Sequence, residues 1–214
     1  MLTKHGHRQY GFTPVFNDVV DQARTTSALV YGVVWRHCHL RYRVCQASHA
    51  TMSSLTGLAE TTIQMHIKKL IDEELIERVQ AHTRSRPAHY AIIARNATDV
   101  QLRETEIGTL SLYRNQRFGF TPLFDDIVEQ VGSITALVFG VIWRHAQMRD
   151  AACHASVKTM SDLTGLGKST IRKHIQVLVR NQMIKRVEPH RQHIPPWYVP
   201  VVMPAVVQAQ VIPF

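Results

Sequence analysis

Cysteine is scarce, and no long apolar run occurs. Three cysteines in 214 residues is an odd number and far too few for a disulfide framework. The longest apolar candidates, ALVYGVVW and ALVFGVIW, are eight residues each, well short of the ~20 that a membrane helix needs. The opening MLTKHGHRQY lacks an apolar core, so a secretory signal is not expected. Acidic residues are also outnumbered. Lys and Arg total 25 against 16 Asp and Glu, a net charge of +9 with His neutral, and 13 histidines add to it as pH falls towards about 6.5. The apolar fraction, 45%, is ordinary for a globular protein and argues against wholesale disorder. These features exclude secreted, membrane and collagen-like classes. They lead us to expect a basic cytoplasmic protein, nucleoid-associated, with a polyanionic partner and no membrane partner.

The chain repeats itself. YGFTPVFNDVVDQ begins at Tyr10 and FGFTPLFDDIVEQ at Phe118, an offset of 108 residues. At that offset the match runs without a gap to about Ala94 and Val202, through SALVYGVVWRH and TALVFGVIWRH, TMSSLTGL and TMSDLTGL, and TIQMHIKKL and TIRKHIQVL. An internal duplication is the expected reading. It divides the chain into a basic arm at 1–9, a first domain at 10–94, a linker at 95–117, a second domain at 118–202, and an apolar, Pro-containing tail at 203–214. Each domain has just enough residues for a small core. The linker is polar and of mixed charge. Fully extended it could reach ~75 Å at about 3.3 Å per residue, so the two domains need not touch.

Within each repeat the pattern is mainly helical. Apolar residues at Phe12, Val15, Phe16, Val19 and Val20 have helical spacing and predict a helix from Phe12 to Gln22, with Thr13 as cap and Pro14 in the first turn. A strongly apolar helix is expected at Ser27–Arg41 and Thr135–Arg149, with Trp35 and Trp143 as core residues towards its end. CQAS and CHAS follow as a brief strand. Thr51 and Thr159 are expected to cap a short helix, with Gly57 and Gly165 as turn pivots. The next helix buries Ile171, Ile175 and Leu178 and runs to about Gln182. LIERV with HYAII, and MIKRV with WYVPVV, predict hairpins. The expected fold class is α+β, mainly α with small β-hairpins.

TMSDLTGLGKSTIRKHIQVLVRNQMIKRV resembles the helix-turn-helix of winged-helix DNA-binding proteins, and the likeness spans about Thr25–Ile93 and Thr135–Val201. GFTPVFNDVVDQ is similar to the lead-in helix of winged-helix domains from plasmid and phage replication proteins. The resemblance implies two tandem winged-helix domains and a double-stranded DNA partner. It also implies a recognition helix starting near Glu60 or Lys168. One departure is clear. The family often caps this helix with Ser, whereas Ala59 or Gly167 stands here, and Ala is a poor cap by about 1 kcal/mol.

On that basis Lys168, Ser169, Arg172, Lys173, Gln176 and Arg180 form the candidate DNA-binding face of the second repeat. Arg suits bidentate contact with guanine and Gln suits adenine. Lys168 and Ser169 stand where free backbone N–H groups favour phosphate. Gly167–Met183 carries four cations and no anion. Ala59–Leu75 carries two lysines against four carboxylates, a net of −2. Its candidates are Thr61, Gln64 and Lys68, beside Glu60, which repels phosphate. Wing candidates are Arg84 and Arg86, flanked by His82 and His89, and Arg191, with His190 and His193. The second repeat is therefore expected to be the main DNA reader. Half-sites about 34 Å apart are within reach.

Other constellations carry less. His37, Cys38, His39, Cys45 and His49 look like metal ligands, but Ala146, Gln147 and Val157 replace three of them in the second repeat, so no metal is expected. Cys45 and Cys153 read as small buried residues, and His66 and His174 as partly buried core residues. GLGKST at 165–170 has the wrong spacing for a phosphate-binding loop. No catalytic arrangement and no cofactor is expected. The expected function is a non-enzymatic, sequence-specific transcription regulator. The alternatives are a replication initiator of a plasmid or mobile element, or a protein-interaction scaffold in a nucleoprotein assembly, with a second copy or another protein as partner.

Overall fold

The computed structural model describes residues 11–40, 44–83, 87–93, 119–147, 151–187, 196–202 and 204. The basic arm at 1–9, the linker at 95–117, and the tail at 203–214 apart from Pro204 lie outside them. The first repeat runs β1 (Phe12–Phe16), α1 (Asn17–Ala23), α2 (Thr25–Leu40), α3 (His49–Thr56), α4 (Glu60–Asp72), β2 (Ile76–Gln80) and β3 (His89–Ile92). The second follows the same order: β4 (Phe120–Phe124), α5 (Asp125–Val131), α6 (Ser133–Ala146), α7 (Val157–Thr164), α8 (Lys168–Arg180), β5 (Ile184–Val187) and β6 (Trp197–Pro200). Helices with three small antiparallel sheets make this a mixed α+β fold.

The first expected helix is overturned. FTPVF is a strand, and the helix begins only at Asn17, with Phe16 rather than Thr13 at its cap position. The partner that holds β1 extended is β4 of the other repeat, in an antiparallel ribbon registered Phe12↔Phe124 through Phe16↔Phe120. The Asn17 N–H donates to the Gly119 carbonyl at 3.4 Å, and the Asp125 N–H to the Gly11 carbonyl at 3.1 Å. Hydrogen-bonded pairs alternate along an antiparallel ladder. Pro14 and Pro122, opposite each other at the centre, therefore fall on a non-hydrogen-bonded pair and cost the ladder no donor. Phe12, Phe16, Phe120 and Phe124 cluster across the ribbon, with Phe12 stacked on Phe120 at 5.9 Å between ring centroids. The two repeats thus dock directly, although the length of the segment between them does not require it.

Helices α2 and α6 are the buried cores of the two halves. Trp35 packs edge-on to Phe16 at 5.3 Å, and Trp143 to Phe124 at 5.1 Å. Gly32 and Gly140 let the helices lie against the ribbon, because a Cβ at either would overlap the carbonyl oxygen of Pro14 or Pro122. α2 starts and ends near its expected bounds, but α6 stops at Ala146, short of the expected Arg149.

A buried ion pair joins the halves. Arg36 on α2 donates from Nη1 to Asp125 Oδ1 at 2.8 Å and from Nη2 to Oδ2 at 2.9 Å, and Nη1 also reaches Thr13 Oγ1 at 3.2 Å. Arg144 is its repeat equivalent and donates instead to the Phe120 carbonyl at 3.0 Å. The repeat equivalent of Asp125 is Asn17, whose Oδ1, like Arg144 Nε, lacks a hydrogen-bond partner among the described residues. Burial lowers the Arg144 pKa.

The junction between the first two helices differs between repeats. Gly132 has φ 77° and ψ 160°, a conformation open essentially to glycine alone. Arg24 occupies the same place at φ 73° and ψ 163°. Arg24→Gly should therefore raise stability, by about 1 kcal/mol or more as the strain of about 1–3 kcal/mol is released. Urea denaturation checks this, and an unchanged or lower midpoint would contradict the strain.

The short helices are capped one turn earlier than expected. Ser48 and Ser156, not Thr51 and Thr159, are the caps, and they accept from the Thr51 and Thr159 N–H groups at 3.1 and 3.0 Å. Gly57 and Gly165 end these helices in left-handed conformation, as expected of the pivots. CQAS and CHAS form single bridges rather than strands, Cys45 to Tyr90 and Cys153 to Tyr198, each laying a third segment beside a two-stranded hairpin.

Candidate nucleic-acid interface

The site is built by the turn. Ser53 Oγ donates to the Leu58 carbonyl and Ser161 Oγ to the Leu166 carbonyl, both at 2.6 Å, and so close the loop that leads into α4 or α8. Ala59 and Gly167 cap these helices without a side-chain bond, as their side chains dictate. The first N–H groups of α8 are therefore not taken up by a cap side chain.

α8 buries Ile171, Ile175 and Leu178 and exposes Lys168, Ser169, Arg172, Lys173, Gln176 and Arg180. At 100° per residue these six lie on one arc of the helix. α8 closes at Arg180, two residues short of the expected end. α4 buries Ile63, Ile67 and Leu70 and exposes Glu60, Thr61, Gln64, Met65 and Lys68. At matching positions Glu60 replaces Lys168, Gln64 replaces Arg172, Met65 replaces Lys173 and Asp72 replaces Arg180. Gln64 Nε2 approaches His49 Nδ1 at 3.4 Å. Met65 is 60% exposed. Lys69 is structural: its Nζ donates to the Ala23 carbonyl at 2.9 Å.

Of the wing candidates, Arg84, Arg86 and Arg191, with His190 and His193, lie outside the described residues. His82 is exposed and His89 half-buried. The strands contribute cations that the recognition-helix pattern does not point to. Lys185 and Arg186 are exposed on β5, where the first repeat has Glu77 and Arg78 on β2. Their signal in the sequence is MIKRV against LIERV, and it deepens the charge difference between the repeats.

The shared histidines are structural. His66 Nδ1 bonds Ser27 Oγ and His174 Nδ1 bonds Thr135 Oγ1, each at 2.9 Å, which ties each recognition helix to the start of the buried helix beneath it. Burial lowers both pKa values, and the charges of Lys69 and Lys173 add to this. A His with a depressed folded pKa contributes stability that is present above the unfolded value of about 6.5. That contribution is lost as pH falls through the folded value. We expect the melting temperature to drop between pH 7.5 and 5.5, and to drop less in a His66→Gln/His174→Gln variant. Equal slopes in the two proteins would contradict this.

Cys45 and Cys153 are buried, and burial pushes their thiols up to about 12 and about 11. Cys38 is buried too, with its Sγ at 3.6 Å from the Tyr90 carbonyl, and His37 Nδ1 lies 2.9 Å from the Val33 carbonyl. Among the described residues no three His, Cys, Asp or Glu side chains come together as metal ligands. No helix of the described residues is long and apolar enough to cross a membrane.

A short helix, a left-handed glycine turn and a second helix with one buried and one open face define a helix-turn-helix domain. The family model described as a helix-turn-helix domain matches residues 133–184, from the start of α6 into β5. No curated protein matches the chain.

Proposed function

We propose that the chain is a pair of winged-helix domains, 10–94 and 118–202, which arose by internal duplication and bind double-stranded DNA without catalysis. α8 enters the major groove, the hairpins meet phosphates, and the protein acts as a sequence-specific transcription regulator. The observation that carries this reading is the open face of α8, with four cations and no anion directly after a helix-turn-helix turn. Arg172 and Gln176 are placed to read base edges. Lys168, Ser169 and Lys173 are placed for phosphate. α4 is the weaker reader, through Thr61, Gln64 and Lys68.

Arg172→Ala is expected to cost about 1–3 kcal/mol of affinity for the cognate site, and Gln64→Ala less. The measurement is titration of each variant against DNA selected from a random double-stranded pool. Log affinity should fall with log salt by roughly 0.9 per phosphate neutralised. A flat salt response with no enriched sequence would sink the reading in favour of a protein scaffold.

A further inference from the structure

The two halves are related by an internal two-fold axis, and this bears on the geometry of the DNA. The β1–β4 register is centred on Pro14↔Pro122, and Pro122 is the repeat equivalent of Pro14. The bonds across the ribbon come in matched pairs, Asn17 to Gly119 and Asp125 to Gly11. α1 packs on α7, and α5 packs on α3, the same contact made in reverse. Such reciprocity is the mark of an isologous interface. The dyad of an antiparallel pair stands perpendicular to the ribbon, so it keeps α4 and α8 on the same side of it.

The helix-turn-helix turns are themselves part of this contact. Thr25 Oγ1 donates to the Thr164 carbonyl of the other half at 2.6 Å. A Cβ at Gly165 would press on Val20 and Thr25, while one at Gly57 would stand 4.0 Å from Ser133, the equivalent of Thr25. Lys168 opens α8 three residues after Gly165, and Glu60 opens α4 three residues after Gly57. Each recognition helix is thus positioned against the opposite half at the turn that launches it. The linker does not set their separation.

We propose that one chain binds one DNA site made of two unlike half-sites in inverted orientation, at a single spacing, with the DNA dyad on the Pro14–Pro122 axis. A protein two-fold maps onto a DNA two-fold, which turns the second half-site end for end. A flexibly tethered pair would accept direct repeats and a range of spacings. The half-sites differ because α4 and α8 present different side chains, so the inversion lies in orientation and not in sequence. This inference rests on the DNA-binding reading above.

The test uses the full chain and the motif selected from a random double-stranded pool. Three duplexes are compared: the selected site, the site with the weaker half-site reversed in place, and the site with that half-site moved by half a helical turn, about 5 base pairs. Both altered duplexes should lose affinity by about tenfold or more, down to that of the stronger half-site alone, as expected when a second linked contact is lost. Sedimentation should show one chain per duplex. A direct-repeat motif, tolerance of the shifted spacing, a single half-site, or two chains per inverted site would each overturn the inference and leave DNA binding standing. Failure to enrich any sequence would overturn both.

Discussion

Asp125→Ala is expected to lower the unfolding free energy by about 2–4 kcal/mol, because removing one partner of a buried ion pair leaves the other charge stranded. Arg36 is the group that loses its carboxylate, keeping the bond to Thr13 Oγ1. Its side chain is 2% exposed, and Asp125 gives it two parallel hydrogen bonds. Asp125 itself is 29% exposed, which places the loss towards the low end for a buried pair. Asp125→Asn separates charge from shape. It keeps the volume, and it should still lose more than half of the effect. The converse substitution is Asn17→Asp, which puts a carboxylate at the repeat equivalent of Asp125, where the internal symmetry offers it to Arg144, and is expected to stabilise by about 1–3 kcal/mol. Urea denaturation of the full chain reads all three. A change below about 0.5 kcal/mol for Asp125→Ala, within the range of ordinary surface substitutions, would show that the pair does not hold the halves together.

Gly140→Ala is expected to cost a net of about 2–3 kcal/mol, and Gly140→Val more. Alanine normally improves a helix interior by about 1 kcal/mol relative to glycine, so the sign here is the reverse of the intrinsic preference. The cause is the approach of α6 to the ribbon. A Cβ at Gly140 would overlap the Pro122 carbonyl oxygen and crowd Thr121, and backbone cannot step aside as a flexible side chain can. Gly32→Ala should behave alike against Pro14 and Thr13. Gly167→Ala is the control. Only two side-chain hydroxyls lie near a Cβ there, at 3.8 and 3.9 Å, and the first repeat already carries Ala59 at that place. The change should stay within about 1 kcal/mol. Equal losses at Gly140 and Gly167 would mean that close approach to the ribbon is not what requires glycine.

Much of the recognition helix is legible in the amino-acid order. Ile171, Ile175 and Leu178 mark its buried stripe, and that stripe leaves Lys168, Arg172 and Lys173 on the open side. The glycine pivots are legible because a helix that ends sharply needs a left-handed residue. The caps are within reach of the sequence. Ser48 and Ser156 each precede a Thr by three residues, but the alternative caps, Thr51 and Thr159, look as good until the backbone is known. β1 reads as a helix for a physical reason. Phe12, Val15, Phe16, Val19 and Val20 fit a helical stripe, and Pro14 suits a first turn. The group that competes for this backbone, β4, lies 108 residues away, beyond any local window.

The sequence by itself determined the two-fold repetition, the helix-turn-helix pattern in each half, and the contrast between a cationic α8 and an α4 whose charges cancel, with two further carboxylates, Glu73 and Glu74, just beyond its end. Those are properties of neighbouring residues, since side-chain spacing decides which face a helix buries and charge adds along the chain. The tertiary structure alone decided that the halves join through a β-ribbon, that Arg36 takes Asp125 while Arg144 takes the Phe120 carbonyl, and that each recognition helix starts from a turn seated on the other half. Strand pairing and buried ion pairs satisfy backbone and charge across any sequence distance. Only the folded chain shows which distant groups have met.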